Sequence, residues 1–398
     1  MYQSDSSPNV ASHAPSRTGF QDFDHGATDL VSAAEFNGPG THLAVCSTDH
    51  SIRVFTQDYR HDWTLLDQWR GHDAEILDVK WIGPSLGSAF GTIGDDAKVK
   101  VWREDCSQGP QSGHRFRCIF SQSSANHVSY VSLGFKTVRH EVCMAIVQSD
   151  GLLALLEPSD PGTLNFSKEL DSAYPYGQYS RGSEPTFKLS LHQAARPSYH
   201  AISAGVDPKA ISLALSAASS IKILRATTTE DGDCKFYQVL EIEGVASVIN
   251  DVSWAPGCIR SCDLIAAACK DGRVRVFEVI TPHHAGFQSP NMSSDPRPLT
   301  RDRGNSSKLD RHAPSGIGAG LAGVSRAKAM HESSGATRIQ QSWRETAVLV
   351  HGRGMPVWRV RWTHDGSTIA STGDCGKLQL WKQNLDGHFV EFAETRSV

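Results

Sequence analysis

Four residues in the first third of the chain, His72, Thr92, Asp96 and Trp102, have the types and spacing of a polar network. A histidine, a hydroxyl and a carboxylate could form a hydrolytic triad, in which the histidine takes the proton of the hydroxyl. Asp96, however, lies in a predicted turn and Trp102 ends an alternating apolar run, which places the set inside a sheet rather than in an open pocket. Because a buried carboxylate needs hydrogen-bond donors, we interpret these residues as a structural tetrad that stabilises the fold.

Two other groups match chemical motifs only in part. Residues 318–323 spell G-x-G-x-x-G, but HAPSGI precedes them where a dinucleotide site requires a buried strand. Cys258, Cys262 and Cys269 lack the two close pairs of a zinc site, and Cys269 falls in a predicted strand. We therefore predict no catalytic residues, no cofactor and no metal site.

Composition excludes several classes of function. The chain has 398 residues and a net charge of −4, which gives no basic field for a phosphate backbone, so direct nucleic-acid binding is not expected. Nine cysteines without a secretory leader indicate reduced thiols in the cytosol or nucleus. Since no apolar run reaches ~18 residues, we expect membrane contact only through partner proteins.

The elements that must position the tetrad are repeated strands. Residues 357–382 read as a three-stranded meander, with VWRVRW, TIASTG and KLQLW separated by tight turns. Similar units cover Leu30 to Phe55, Ile76 to Trp102, Tyr130 to Leu156, Tyr199 to Leu224 and Ile249 to Phe277. The last turn of the unit carries Asp49, Asp96, Asp150 or Asp271, with Ala218 and Cys375 in the fourth and sixth copies.

A fourth apolar run follows each unit and completes a four-stranded blade. The sequence therefore predicts an all-β, six-bladed β-propeller over residues 23–393, because radially packed blades cover each other's faces. The predicted blades are 24–70, 71–120, 127–192, 198–242, 245–350 and 351–393. Residues 1–22 are predicted to be a disordered tail, and 158–185 and 282–342 disordered insertions.

The ends of this repeat pattern leave open a gap between the first and last blades, although six blades can also close unaided. Every blade starts with its inner strand and ends with its outer strand, so we expect no strand to be shared between the first and last blades. The predicted edges of this gap carry large apolar residues. These candidates for a partner contact are Leu30, Val31 and Phe36 in blade one, and Val357, Trp358, Val360, Trp362, Leu378 and Leu380 in blade six.

Several phrases in the repeats resemble a known family. ACKDGRVRVF at 268–277, LEPSD at 156–160, SWAP at 253–256 and STGDCGKLQLWK at 371–382 are similar to the WD-repeat Seh-type nucleoporins, the Sec-thirteen homologues. The resemblance runs from about residue 24 to residue 392, without the two insertions. Cys375 and Ala218 depart from the pattern at the turn position.

This resemblance implies a non-catalytic scaffold. Seh-type propellers are open and are completed in trans by a blade from an α-solenoid nucleoporin of the Y-shaped coat complex at the nuclear pore. The family resemblance also implies support of mRNA and protein transport, and a second helical partner in the SEA/GATOR-type complex at the vacuolar or lysosomal membrane, which regulates TOR signalling.

Two alternatives remain from the sequence. The first is the paralogous propeller subunit of the COPII vesicle coat, which has the same architecture. The second is a propeller enzyme or small-ligand binder, whose site would be built from scattered loop residues.

Overall fold

The described part of the chain forms six four-stranded antiparallel sheets. A computed structural model describes residues 23–281 and 341–396, apart from short gaps at 60, 84–85, 139–140, 161, 181, 184, 195, 229–233 and 258–262. The predicted tail 1–22 and residues 282–340 of the predicted insertion lie outside the described residues. The sheets follow one another along the chain, and the prediction of an all-β six-bladed propeller is confirmed.

The strands of the first three blades are as follows. Blade one contains β1 (Val31–Phe36), β2 (His42–Ser47), β3 (Ser51–Gln57) and β4 (Trp63–Arg70). Blade two contains β5 (Ile76–Trp81), β6 (Ala89–Gly94), β7 (Lys98–Glu104) and β8 (Phe116–Ser123). Blade three contains β9 (Tyr130–Val138), β10 (Glu141–Gln148), β11 (Leu153–Glu157) and β12 (Lys168–Ala173).

The last three blades contain the remaining strands. Blade four contains β13 (Phe187–Leu191), β14 (Ile211–Ala217), β15 (Ser220–Thr228) and β16 (Cys234–Ile242). Blade five contains β17 (Ile249–Trp254), β18 (Asp263–Cys269), β19 (Arg273–Ile280) and β20 (Ser342–Val350). Blade six contains β21 (Val357–Trp362), β22 (Thr368–Gly373), β23 (Lys377–Gln383) and β24 (Phe389–Arg396).

The predicted border between blades three and four was wrong. Phe187–Leu191, assigned to the outer edge of blade three, pairs with β14 and is the inner strand of blade four. The outer strand of blade three is instead Lys168–Ala173, which lies inside the segment 158–185 that was predicted to be a disordered insertion. The repeat at Tyr199 was also misassigned, because Tyr199–Ser203 forms the short helix α1 between β13 and β14.

Five clusters of buried apolar side chains hold neighbouring blades together. Each cluster joins one blade to the next, from blades one and two through to blades five and six. In the first, for example, Ile52 of blade one and Phe90 of blade two are both fully buried. Among the described residues, no cluster joins blade six to blade one, and the sixth cluster lies within blade one and Phe23.

The inner strands are also tied by a repeated hydrogen bond. In four junctions, a side-chain oxygen of one inner strand accepts the backbone N–H of the next inner strand. The pairs are Glu35 with Trp81 (3.1 Å), Ser132 with Leu189 (3.1 Å), Ser190 with Trp254 (2.9 Å) and Asp251 with Val360 (3.1 Å). An inner strand has one unpaired edge, so these side chains satisfy backbone donors that the sheet leaves free.

Candidate functional site

The predicted tetrad of blade two forms one hydrogen-bonded chain. The Trp102 indole N–H donates to Thr92 Oγ1 at 2.9 Å, and Thr92 Oγ1 lies 2.8 Å from His72 Nε2. His72 Nδ1 then lies 3.0 Å from Asp96 Oδ1. His72 and Thr92 are almost completely buried, so the structure places these residues in a blade interior and gives no substrate access to a triad.

The charge of Asp96 is held in place by donors. Burial alone would raise the pKa of Asp96, but the His72 ring and the backbone N–H groups of Asp73 and Lys98 outweigh it and lower the pKa. Burial lowers the pKa of His72 more than the neighbouring carboxylate raises it. Within the tetrad, a neutral His72 imidazole therefore donates a hydrogen bond to the ionised Asp96 carboxylate.

Blade six carries a second copy with a sulfur in place of the carboxylate. The Trp381 indole donates to Ser371 Oγ at 2.9 Å, and Ser371 Oγ lies 2.9 Å from His351 Nδ1. His351 Nε2 lies 3.1 Å from Cys375 Sγ. Cys375 departs from the turn pattern, and this set was not predicted, although its members have the same separations as those of blade two.

The other turn aspartates have different partners. Asp49 and Asp271 form ion pairs with the arginine four residues later, Arg53 at 3.0 Å and Arg275 at 2.7 Å. Asp150 of blade three accepts the Tyr174 hydroxyl at 3.1 Å. The structure thus distributes the turn aspartates over separate blades and does not bring them together.

The side of blade one that faces blade six is largely uncovered. In the first strands of blades one, two, five and six, a bulge brings two apolar positions to the side of the preceding blade. These positions are 0–1% exposed at Ile76, Val79, Ile249, Val252, Val357 and Val360. In blade one, however, Val31 is 41% exposed, Ala34 is exposed, and Phe36 further along the strand is 53% exposed.

The side of blade six that faces blade one is uncovered in the same way. Ala370, Leu378 and Leu380 are half-buried, whereas their equivalents in blades one and five are 0% exposed: Ala44, Ile52, Val54, Ala266, Val274 and Val276. Val390 and Phe392 on β24 add further apolar surface, and the Lys382 ammonium lies 5.9 Å from the Phe392 ring. We call these two facing surfaces, with Val31, Ala34 and Phe36, the open slot.

Six of the nine predicted contact residues have exposed or half-buried side chains and lie outside the apolar cluster between blades five and six. Leu30, Val31, Phe36 and Trp358 are exposed, and Leu378 and Leu380 are half-buried. The other three were wrong. Val357 and Val360 are buried against blade five, and the Trp362 indole donates to Ser253 O of blade five at 3.0 Å.

The cause of this error is a β-bulge. The register shifts between Val357 and Arg359, so Val357 and Val360 point to the same side although strict alternation puts them on opposite sides. Phe392 and Val390 were not predicted, because the contact candidates came only from the first three strands of this blade. Their alternation with charged residues in an outer strand was the signal that could have found them.

The inner end of the open slot is polar. The Arg359 guanidinium donates to Ser32 O of blade one at 3.2 Å. Arg361 lies beside it and pairs with Asp251 of blade five at 2.5 Å. Burial raises the pKa of Glu35 on blade one more than the neighbouring cations lower it. The inner strands of blades one and six are therefore linked by polar groups, and the exposed apolar surface lies towards the outer strands.

The described residues offer little for ligand chemistry. Within the described ranges, no group of three or more His, Cys, Asp or Glu is placed to hold a metal ion. Cys269 is buried in β18, whereas Cys258, Cys262 and residues 318–323 lie outside the described residues. A cavity of about 620 Å³ near blades five and six is lined mainly by polar side chains, and Arg344 and Glu278 in its wall pair with each other at 2.5 Å.

No described helix has the length and apolar content to span a membrane.

Comparisons with known proteins point to one family. A family model described as WD domain, G-beta repeat, matches residues 20–56 and 343–382. Nucleoporin SEH1 of Saccharomyces cerevisiae is 28% identical over 377 residues, which cover 93% of this chain and 97% of that protein. Nucleoporin SEH1 of Chaetomium thermophilum is 25% identical, with 93% of each chain covered, and seh1 of Schizosaccharomyces pombe is 24% identical, with 91% of each covered. The resemblance to Seh-type nucleoporins is thereby confirmed over most of the chain.

Proposed function

We propose that this WD-repeat chain, a relative of nucleoporin SEH1, is a non-catalytic scaffold subunit of the nuclear pore complex at the nuclear envelope. In this role its open slot receives a blade from an α-solenoid nucleoporin of the Y-shaped coat complex. The observation that carries the proposal is the exposure of apolar positions on blades one and six that are buried in the equivalent junctions. The names of its relatives supply the cellular context.

The physical basis is the packing rule of a propeller. Each sheet buries apolar side chains on both faces, which needs a neighbour on each side. Phe36 and Phe392 are 53% and 68% exposed, and apolar surface contributes about 25 cal/mol per Å² when it is removed from water. A three-stranded blade from another chain would bury these side chains and leave intact the hydrogen bond from Arg359 to Ser32 O between the inner strands.

The same surface would serve a second partner of similar shape. If the helical subunit of the SEA/GATOR-type complex donates a comparable blade, the two complexes exclude each other at one copy of this chain. A role in mRNA and protein transport and in TOR signalling would then follow from which partner occupies the slot. The chain's own residues take part in no reaction in this proposal.

The test measures binding to a helical nucleoporin that carries its N-terminal three-stranded segment. The variants Phe36→Asp and Phe392→Asp each place a charge in the open slot. Because central apolar contacts commonly contribute about 2 kcal/mol or more, we expect each variant to weaken binding at least ~10-fold by calorimetry. The variant Leu385→Asp is the matched control, since Leu385 is fully exposed in the loop between β23 and β24.

Three outcomes would contradict the proposal. Equal affinity of all three variants would show that the open slot is not part of the interface. Equal binding of a partner that lacks its three-stranded segment would show that no blade is donated. Recovery of COPII cage subunits without pore scaffold proteins, from native extract, would favour the vesicle-coat alternative.

A further inference from the structure

The blade-one wall of the open slot is uncovered along its inner strand but covered further out. Val31 and Phe36 on β1 are 41% and 53% exposed. The residues that lie across the sheet from Phe36 are on the same side of it, because Phe36 pairs with Leu43 of β2 and Leu43 pairs with Phe55 of β3. Leu43 and Phe55 are nevertheless only 7% and 4% exposed. An element other than blade six therefore covers the outer part of this wall.

The covering residue is Phe23, which precedes β1 in the chain. The Phe23 ring centroid lies 5.1 Å from that of Phe55 in an edge-to-face contact and 6.1 Å from that of Trp63 in a stacked one. The segment between Phe23 and β1 is tied to the same blade, since the Thr28 hydroxyl donates to Asp49 Oδ2 at 3.0 Å. Aromatic contacts and this hydrogen bond together hold segment 23–30 against blade one.

In blade two, the equivalent pocket is filled by the preceding blade. Trp69 on β4, the outer strand of blade one, lies with its ring 5.3 Å from the Trp102 ring and 5.2 Å from the Phe116 ring. Trp102 and Phe116 have the register positions in blade two that Phe55 and Trp63 have in blade one. The residue that covers blade one therefore occupies the place of an outer-strand residue of a preceding blade.

Two further junctions show the same contact with aliphatic side chains. Ile242 on β16 and Leu349 on β20 have the register position of Trp69. Each belongs to the buried cluster that joins its blade to the next one, together with Phe277 of blade five or Trp381 of blade six. An apolar residue at this place is thus a repeated part of the junctions, and its shape varies.

We propose that Phe23 takes the place of the outer strand of the blade that the slot lacks, so that the slot accepts a blade of three strands. This rests on the scaffold role proposed above and names the kind of blade that the slot binds. The uncovered residues Val31, Ala34 and Phe36 all lie on β1, where the inner strands of a donated blade pack. A fourth strand would meet Phe23 in a pocket that is already filled. Phe23 is half-buried, so part of its ring is free to contact the donated blade.

The first experiment measures binding of the full chain to a helical nucleoporin that carries its three-stranded segment, by calorimetry. We expect Phe23→Ala to weaken binding at least ~5-fold, because it leaves the outer pocket open. Phe23→Leu keeps an apolar side chain of the kind that Leu349 supplies between blades five and six, and it should bind within ~2-fold of the unmodified chain. Tyr199→Ala is the matched control, since Tyr199 is 70% exposed in α1 of blade four.

The second experiment tests the number of strands. The partner segment is extended by a fourth strand with the sequence of residues 63–70, which form β4 in this chain. We expect the unmodified chain to bind this four-stranded segment at least ~10-fold more weakly than the three-stranded one, and Phe23→Ala to recover the affinity. Equal binding of the two segments by the unmodified chain, or no recovery with Phe23→Ala, overturns the inference.

Failure of this inference can be told apart from failure of the proposed function. If Phe36→Asp and Phe392→Asp weaken binding but Phe23→Ala leaves it equal or makes it tighter, the slot binds its partner and the role of Phe23 is wrong. If the unmodified chain does not bind the three-stranded segment, the proposed function and this inference both fail. A residue that only stabilises blade one would weaken binding of both segments, so opposite effects on the two segments identify the proposed role.

Discussion

The Thr92 hydroxyl is the centre of the polar network in blade two. It accepts the Trp102 indole N–H and lies 2.8 Å from the His72 ring, and all three groups are buried. Without this oxygen, one buried donor and one ring nitrogen would lose their partners. Because an unsatisfied buried polar group costs about 1–3 kcal/mol, a single hydroxyl governs the stability of the whole set.

We expect Thr92→Val to destabilise the fold by about 2 kcal/mol, because valine keeps the shape but removes the hydrogen bonds. Urea unfolding of the full chain, followed by tryptophan fluorescence, measures this change. The matched control is Thr92→Ser, which keeps the hydroxyl and should cost less than half as much. Equal losses in the two variants would show that the methyl group, not the hydroxyl, is what matters.

At the residue scale, the sequence predicts polar sets where all members have the expected chemistry. The spacing of His72, Thr92 and Asp96 was sufficient to predict their contact. The set around His351 was missed because Cys375 is not an acceptor that the pattern anticipates, although the separations are identical. Spacing is fixed by the strand geometry and is therefore a better signal than residue type.

At the element scale, alternation predicts strands but not the sheet that each strand joins. Phe187–Leu191 has buried residues at every second position, which is as typical of an inner strand as of an outer one. The true outer strand, Lys168–Ala173, has no buried residue and no apolar pattern, so its assignment depends on pairing with β11. Edge strands with little burial carry little sequence signal.

A cluster of buried titratable side chains lies where blades three, four and five meet. His192 follows β13, and its Nε2 lies 3.9 Å from Asp263 Oδ1 at the start of β18. Lys136 of β9 donates to His192 O at 2.7 Å, and Arg225 lies on β15. Burial lowers the pKa of His192 to about 4, with Lys136 and Arg225 lowering it further and Asp263 raising it.

This shift predicts acid sensitivity between pH 6.5 and about 4. In this window the unfolded histidine binds a proton and the folded one does not, so the free energy of unfolding falls as the pH falls, by up to about 3 kcal/mol. Urea unfolding at pH 7, 6, 5 and 4.5 measures the slope. His192→Gln should flatten it, and an unchanged slope would assign the effect to other histidines such as His72, whose pKa is also lowered by burial.

At the scale of the whole molecule, the junctions between blades differ in how much apolar surface they bury. Five junctions contain buried apolar clusters, whereas among the described residues no such cluster joins blades six and one, which are linked by polar groups such as Arg359 and Ser32. The order of strands in each blade left a gap at this junction possible, and the open ring stays a prediction. The sequence could not predict which side chains face the slot, because the bulge in β21 changes the side on which Val357 lies.

We expect this imbalance to appear in amide hydrogen exchange of the isolated chain. Regions with less buried apolar contact open at lower free energy, so β2 of blade one and β22 of blade six should exchange faster than the equivalent strands β6 and β18, although all four lie inside their sheets. Binding of a partner blade should then slow exchange in β2 and β22 at least ~10-fold and leave β14 of blade four unchanged. Uniform exchange across the six blades would mean that blade six packs on blade one in solution, and the open slot would then be unavailable to a partner.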